Sequence, residues 1–301
     1  MLDYNLESRG EKSLYDYLYQ RIRDDITSGV IGAGDRLPSK RAFAQHLGVS
    51  VVTVEAAYAQ LVAEGYVKAR PRSGFFAVAL QGPGEAKPRL RASAPKPRKE
   101  GQSIAVAVDL TGNEDAGAAA LWSRALRRTL AEEPEHEVFL PTPAAGSVRL
   151  RQALADYLRQ SRGMEVDPGR IVAGAGAQVL DNMLVQLLGR DAAFAVEDPG
   201  YPRLKRLYEA NGVRRVVQVP LDGEGVRTDA LSASGADVLH IMPSHQFPTG
   251  RVTSISRRYE LLGWASAGSP EHRRWIIEDD FDCEFRLAGR PVPPLAAIDA
   301  E

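Results

Sequence analysis

Forty residues, Leu37 to Phe76, constrain this chain more than any other stretch: LPSKRAFAQHLGVSVVTVEAAYAQLVAEGYVKARPRSGFF. Ser39 stands where a hydroxyl can cap a helix whose apolar residues Phe43, Ala44 and Leu47 share one face. Gly48 permits a sharp turn. Ser50 then caps a second helix, in which Val54, Tyr58, Leu61 and Val62 recur at helical spacing and must face a core. Gly65 ends it, and the alternating VKARPRSGFFAV predicts a hairpin turning at Arg72-Ser73-Gly74. Helix, turn, helix and two-stranded wing form a compact unit that presents one helix to a DNA groove.

The stretch resembles the winged helix-turn-helix of the GntR family of bacterial repressors. The LPS-x-R, LGVS-x-x-TV, AY-x-x-L-x-x-EGY and R-x-RSGFF elements match it in register. The resemblance implies binding to a double-stranded DNA operator through Ser39, Lys40, Arg41, Ser50, Val52, Thr53, Arg70, Arg72 and Ser73. The expected reading face is small and apolar: Val52, Thr53 and Ala56 project away from Val54. Such a face touches thymine methyls but offers no bidentate guanine contact. Phosphate anchoring falls to Lys40, Arg41, Arg70 and Arg72. Where GntR-like proteins often carry basic residues, this chain has Val51 and Glu55.

Ahead of this unit, Leu14, Leu18, Ile22 and Ile26 stand four apart in an amphipathic helix over 13–28. After it, QGPGEAKPRLRASAPKPRKEGQ (81–102) has no apolar period and predicts a tether. Charge divides along the same lines. Residues 1–80 carry a net charge of +1, residues 81–103 carry +4 and the remainder −6. The basic segments therefore precede an acidic body, as suits a front end that meets phosphate. The domains expected are 1–80, a linker over 81–103, and 104–301.

Beyond the linker, helical and strand patterns alternate, which predicts an α/β domain. Helices are expected over 118–130, 148–162, 179–188 and 204–211, and strands over 171–173, 192–197, 213–219, 238–242 and 275–278. A single cysteine, Cys283, excludes an internal disulfide framework and fits a reducing cytoplasm. The most apolar helix candidate contains Asp181 and Asn182, so no membrane span is expected. His240, His245 and Cys283 do not form a metal-ligand spacing, and the two histidines are expected to be structural.

Four further pieces, in order, resemble the fold-type I, aspartate-aminotransferase-like domain: Gly176-Ala177-Gln178, EDPGYP at 197–202, PSHQFPTG at 243–250 and IEDDFDCEF at 277–285. Coupled to a GntR-like head, they resemble the MocR subfamily. The resemblance implies that Gly176, Ala177 and Gln178 bind the phosphate of pyridoxal 5′-phosphate (PLP) at a helix start. Tyr201 stacks on its ring, Asp279 pairs with its pyridinium nitrogen, and Arg203 meets a ligand carboxylate. It further implies a homodimer, a small-molecule amine or amino-acid effector, and a cytoplasmic regulator that senses PLP or a PLP–amine adduct.

Two departures bear on chemistry. Phe281 replaces the family's tyrosine, removing a hydroxyl able to bond the cofactor. The Schiff-base lysine and a later carboxylate-binding arginine are expected beyond Asp279, yet the last lysine of this chain is Lys205. Covalent attachment through a family-position lysine, and transaminase catalysis with it, is therefore not expected from these residues. Two alternatives stay open: a PLP-dependent aminotransferase with an accessory DNA-binding head, and a C-terminally incomplete member whose strand faces lack their cover.

Overall fold

A computed structural model describes residues 2–10, 12–71, 73–80, 116–132, 139, 141–270, 272–283 and 292–299. The expected tether over 81–103 and Arg72 of the wing lie outside the described residues.

The head consists of α1 (Leu14–Thr27), α2 (Lys40–Leu47), α3 (Val51–Ala63) and a wing of β1 (Val67–Arg70) and β2 (Gly74–Ala77). Each helix begins at a serine whose hydroxyl accepts a backbone N–H: Ser13 from Asp16, Ser39 from Ala42, Ser50 from Thr53. These caps satisfy donors that have no partner inside the helix. Gly48 turns the chain between α2 and α3 at φ +66°, a conformation that a Cβ disfavours. The wing is antiparallel, with Val67 opposite Ala77 and Arg70 opposite Gly74. Leu18, Ile22 and Ile26 of α1 close over Phe43, Val54, Tyr58 and Leu61, all buried.

The body contains α4 (Ala116–Glu132) and α5 (Val148–Tyr157), the latter continued by one wide π turn over Leu158–Arg162. Then come α6 (Ala177–Leu188), β3 (Ala193–Asp198), α7 (Pro202–Ala210), β4 (Arg215–Asp222), β5 (Gly225–Val226) and α8 (Thr228–Ser234). β6 (Val238–Ile241), α9 (Ile255–Ser266), β7 (Trp275–Glu278) and α10 (Leu295–Ile298) complete it. The sheet runs β5-β4-β3-β6-β7, parallel except for the β4–β5 pair.

Successive residues of a strand face opposite sides, and a sheet covered on both faces needs apolar residues at every position. Phe194 and Val196 of β3 and Val238 of β6 accordingly pack with Val185, Leu204 and Tyr208 from α6 and α7. Ala195, Leu239 and Ile241 pack on the other face with Leu231, Leu261 and Trp264 from α8 and α9. The expected strand over 171–173 does not join this sheet: a 3-10 turn at Pro168–Arg170 precedes it, and Ala173 donates instead to the Ala145 carbonyl, 3.0 Å away.

Head and body meet along the start of α9. Ile255 is fully buried within the head's core, its N–H donating to the Glu64 carbonyl at 3.1 Å. Ser256 Oγ donates to the Ala79 carbonyl at 3.0 Å, and Lys68 pairs with Glu224 at 3.1 Å.

Candidate functional sites

The central strand fixes where a ligand can sit. β4 lies on one side of β3 and β6 on the other, so connections diverge at their carboxyl ends and leave a crevice. A cavity of about 830 Å³ opens there, within the range of small-molecule sites. Its wall takes Tyr201 from the loop after β3, Met242 to Gly250 from the segment after β6, and Asp279 and Phe281 from the end of β7. The starts of α6 and α7 supply Ala177, Gln178 and Arg203.

Both of those helix starts lack a side-chain cap. Gly176, at φ +95°, places no side chain over the first amides of α6, and nothing lies within 4 Å of where its Cβ would stand. At α6 the N–H groups of Ala177 and Gln178 have no partner inside the helix and, with the positive end of the helix dipole, suit an anion; α7 starts at Pro202, which has no N–H. Opposite, the Asp279 side chain is about one-quarter exposed. Tyr201 meets Phe247 edge to face, with ring centroids 5.7 Å apart.

Behind the lining residues Gln246 and Asp279 lies a cluster of buried titratable groups. Glu197, 6% exposed, accepts from the Met242 N–H and from Gln246 Nε2 through one oxygen, while its other oxygen has no partner. Burial raises its pKa to about 7, against the opposing effect of those two donors. Burial also raises the pKa of Asp181, with the Asp279 charge adding to the shift and His240 opposing it. Tyr208, fully buried, keeps its proton well beyond the ordinary range for the same reason of desolvation. Its hydroxyl stands 2.5 Å from His240 Nδ1, and His240 Nε2 lies 3.9 Å from Asp279.

Every residue expected to hold the cofactor lines this cavity, namely Gly176, Ala177, Gln178, Tyr201 and Asp279, and so does Arg203, expected to meet a ligand carboxylate. Asp181, His245, Gln246 and Phe247 line it too, though their roles were not legible from spacing. A carboxylate within the largely apolar run 179–188 was the available signal for Asp181. No lysine lines the cavity among the described residues; Lys205 neighbours Glu209 at 3.9 Å.

On the head, Val52 is 73% exposed and Ala56 is also exposed, with Thr53 partly so, which leaves the expected small, apolar reading face open. Ser39 and Ser50 spend their hydroxyls on capping, and Thr53 Oγ1 shares a hydrogen bond with Ser50 Oγ at 2.7 Å. Arg41 and Ser73 are exposed. Two expected phosphate anchors already have partners. Lys40 forms an ion pair with Glu55 and lies over the Phe75 ring, and Arg70 lies over Phe76 at 4.6 Å. The Glu55 carboxylate neutralises Lys40 at the place where a reading helix more often adds positive charge.

Two family models match the chain: bacterial regulatory proteins of the gntR family over residues 14–77, and aminotransferase class I and II over 108–257. Fold and site thus define a winged helix-turn-helix protein with a fold-type I aminotransferase-like body. The chain thus carries a gntR-type helix-turn-helix and an aminotransferase class I and II domain, and it is similar to HTH-type regulators at 30–37% identity. It is 30% identical over 310 residues to the probable rhizopine catabolism regulatory protein MocR of Rhizobium meliloti, covering 98% of this chain and 62% of that protein. The HTH-type pyridoxine biosynthesis transcriptional regulator PdxR of Corynebacterium glutamicum is 35% identical, covering 95% and 60%. YdeL, an HTH-type transcriptional regulator of Bacillus subtilis, is 37% identical, covering 95% and 61%. The chain therefore spans about three-fifths of the length of these relatives. Among solved structures, an archaeal alanine:glyoxylate aminotransferase shares 28% identity at a TM-score of 0.52, covering 60% of this chain and 45% of that one. Among the described residues, no helix is long and apolar enough to cross a membrane.

Proposed function

We propose that this chain is a DNA-binding transcriptional regulator whose aminotransferase-like body binds PLP or a PLP–amine adduct and so senses a small amine or amino acid. The observation that carries the reading is the pairing, in one chain, of a fully capped winged helix-turn-helix with a crevice into which two uncapped helices open. The residues present fit PLP. The bare amides of Ala177 and Gln178 suit its phosphate, Tyr201 its ring, and the Asp279 carboxylate its ring nitrogen. Arg203, at the same rim, suits the carboxylate of an amino acid. When bound, PLP supplies an aldehyde that reacts with amines. The described residues hold and orient that group, and none of the cavity residues is an amine able to tether it.

In the head, Val52 and Thr53 meet base edges while Arg41, Arg70 and Arg72 position the backbone. The unpaired apolar residues of α4, Leu121, Trp122, Leu126 and Leu130, are all at least half exposed and support a body that packs against a second copy. Two heads in a homodimer read repeated half-sites, which compensates for a weak single head. Fluorescence anisotropy with duplexes from the chain's own upstream region tests the reading. Saturable binding is expected, with Arg41→Ala weakening all sequences alike and lowering the salt slope by about 1. Failure to bind any of these duplexes at low salt, with and without PLP, refutes the regulator.

A further inference from the structure

We propose that His240 is a positioning residue for Asp279, presenting an Nε2–H toward its carboxylate in a tautomer set by Tyr208. His240 lies in the middle of β6, 2% exposed, on the face of the sheet that packs under α6 and α7. Tyr208, fully buried on α7, holds its hydroxyl 2.5 Å from Nδ1. The other ring nitrogen has no hydrogen-bond partner and lies 3.9 Å from the nearer Asp279 oxygen. A buried polar atom left without a partner is costly, and this one stands beside the residue that faces the cavity.

The tautomer follows from the donor inventory. The buried Tyr208 hydroxyl keeps its proton, so it can donate to Nδ1. A neutral imidazole that accepts at Nδ1 carries its hydrogen on Nε2. A charged imidazole carries hydrogens on both nitrogens, and Tyr208 then accepts. In either state Nε2 bears a hydrogen directed toward a carboxylate, whereas the remaining tautomer sets a lone pair against it. Asp181 on α6 and Glu197 on β3 belong to the same electrostatic cluster, each sensing the charges of both His240 and Asp279. A short closure of the 3.9 Å gap converts this approach into a hydrogen bond and fixes the carboxylate as an acceptor for a protonated ring nitrogen.

The role of Asp279 rests on the PLP reading above; the tautomer does not, and the test separates them. Selective ¹⁵N-histidine labelling of the full chain, with His240 identified by loss of its signal in His240→Gln, is expected to show hydrogen on Nε2 in the absence of any ligand. Tyr208→Phe is expected to mix the two tautomers. In absorbance titrations with PLP, Gln at position 240 restores an amide N–H near the Nε2 position and retains binding. His240→Asn, whose amide reaches only the Nδ1 position, and His240→Phe each lose about tenfold in affinity, the scale of one hydrogen bond. A bare Nε2 in the wild-type chain overturns the proposal, as does PLP binding by His240→Phe that equals His240→Gln. If the wild-type chain takes up no PLP, the cofactor reading fails alone and the tautomer still decides for or against the Tyr208–His240 arrangement.

Discussion

Head and body handle their buried polar groups in opposite ways. In the head, Glu64 is 1% exposed, yet Tyr19 donates to one of its oxygens at 2.6 Å and Gln60 to the other at 2.5 Å. In the body, Glu197 leaves one oxygen bare, and Ser244 Oγ, His245 Nδ1 and His240 Nε2 are likewise buried without partners. Among the described residues, every such unpartnered side-chain atom lies in the body and none in the head. Helix caps repeat the pattern, with serine at all three head helices and none at the two helices that open on the crevice. A fully satisfied unit is rigid and holds a reading helix in place. Of the body's unspent groups, His245 Nδ1 belongs to the cavity wall, where a ligand can consume it on binding.

Four substitutions test this contrast. The largest effect belongs to the head's core: Phe43, fully buried against Tyr58, is expected to cost about 3–5 kcal/mol when replaced by alanine, abolishing DNA binding. Thermal denaturation with anisotropy on the same samples checks it. Next is Glu197. Its native pKa of about 7 exceeds the ordinary carboxyl value, so the folded chain binds more protons than the unfolded one between roughly pH 4.5 and 7. Stability is therefore lost as pH rises through that window, by on the order of 3 kcal/mol. Glu197→Gln should flatten the pH profile in urea melts, and an unchanged profile would assign the dependence elsewhere.

Smaller again is Ser50→Ala, which removes the cap of α3 and is expected to cost about 1 kcal/mol. The smallest is Ser244→Ala. Its hydroxyl is buried but makes no hydrogen bond, so removal should be neutral to within about 0.5 kcal/mol or slightly stabilising. Equal losses at Ser50 and Ser244, measured by the same melts, would erase the distinction between a satisfied head and an expectant body.

How much was legible in the sequence follows the same division. The head declared itself because its signals are local: serines before apolar periods, Gly48 at the turn, alternation in the wing. β3 and β6 were legible as apolar runs. α9 escaped because Arg257 and Arg258 interrupt its apolar face, and both are buried. Arg258 gives its hydrogen bonds to the carbonyls of Thr253, Pro243 and Pro293, partners that no side-chain pattern records. The segment 171–173 looked like a strand, but a residue 28 positions earlier, Ala145, takes its backbone hydrogen bond. His240 looked incidental until Tyr208, 32 residues earlier, and Asp279 came together around it. Motifs located the cavity's wall; only tertiary packing brought Tyr208 and His240 together behind Asp279.

The central claim is that one chain couples an amine-sensing cavity to a DNA-reading head. It is tested most directly by anisotropy isotherms on an upstream duplex, with and without saturating PLP, for the wild-type chain and for Asp279→Ala. The account predicts that PLP shifts the wild-type isotherm by about fivefold or more, the usual scale of coupling between sites, and leaves that of Asp279→Ala unmoved. Superimposable wild-type isotherms, in a chain shown by absorbance to hold PLP, would contradict it.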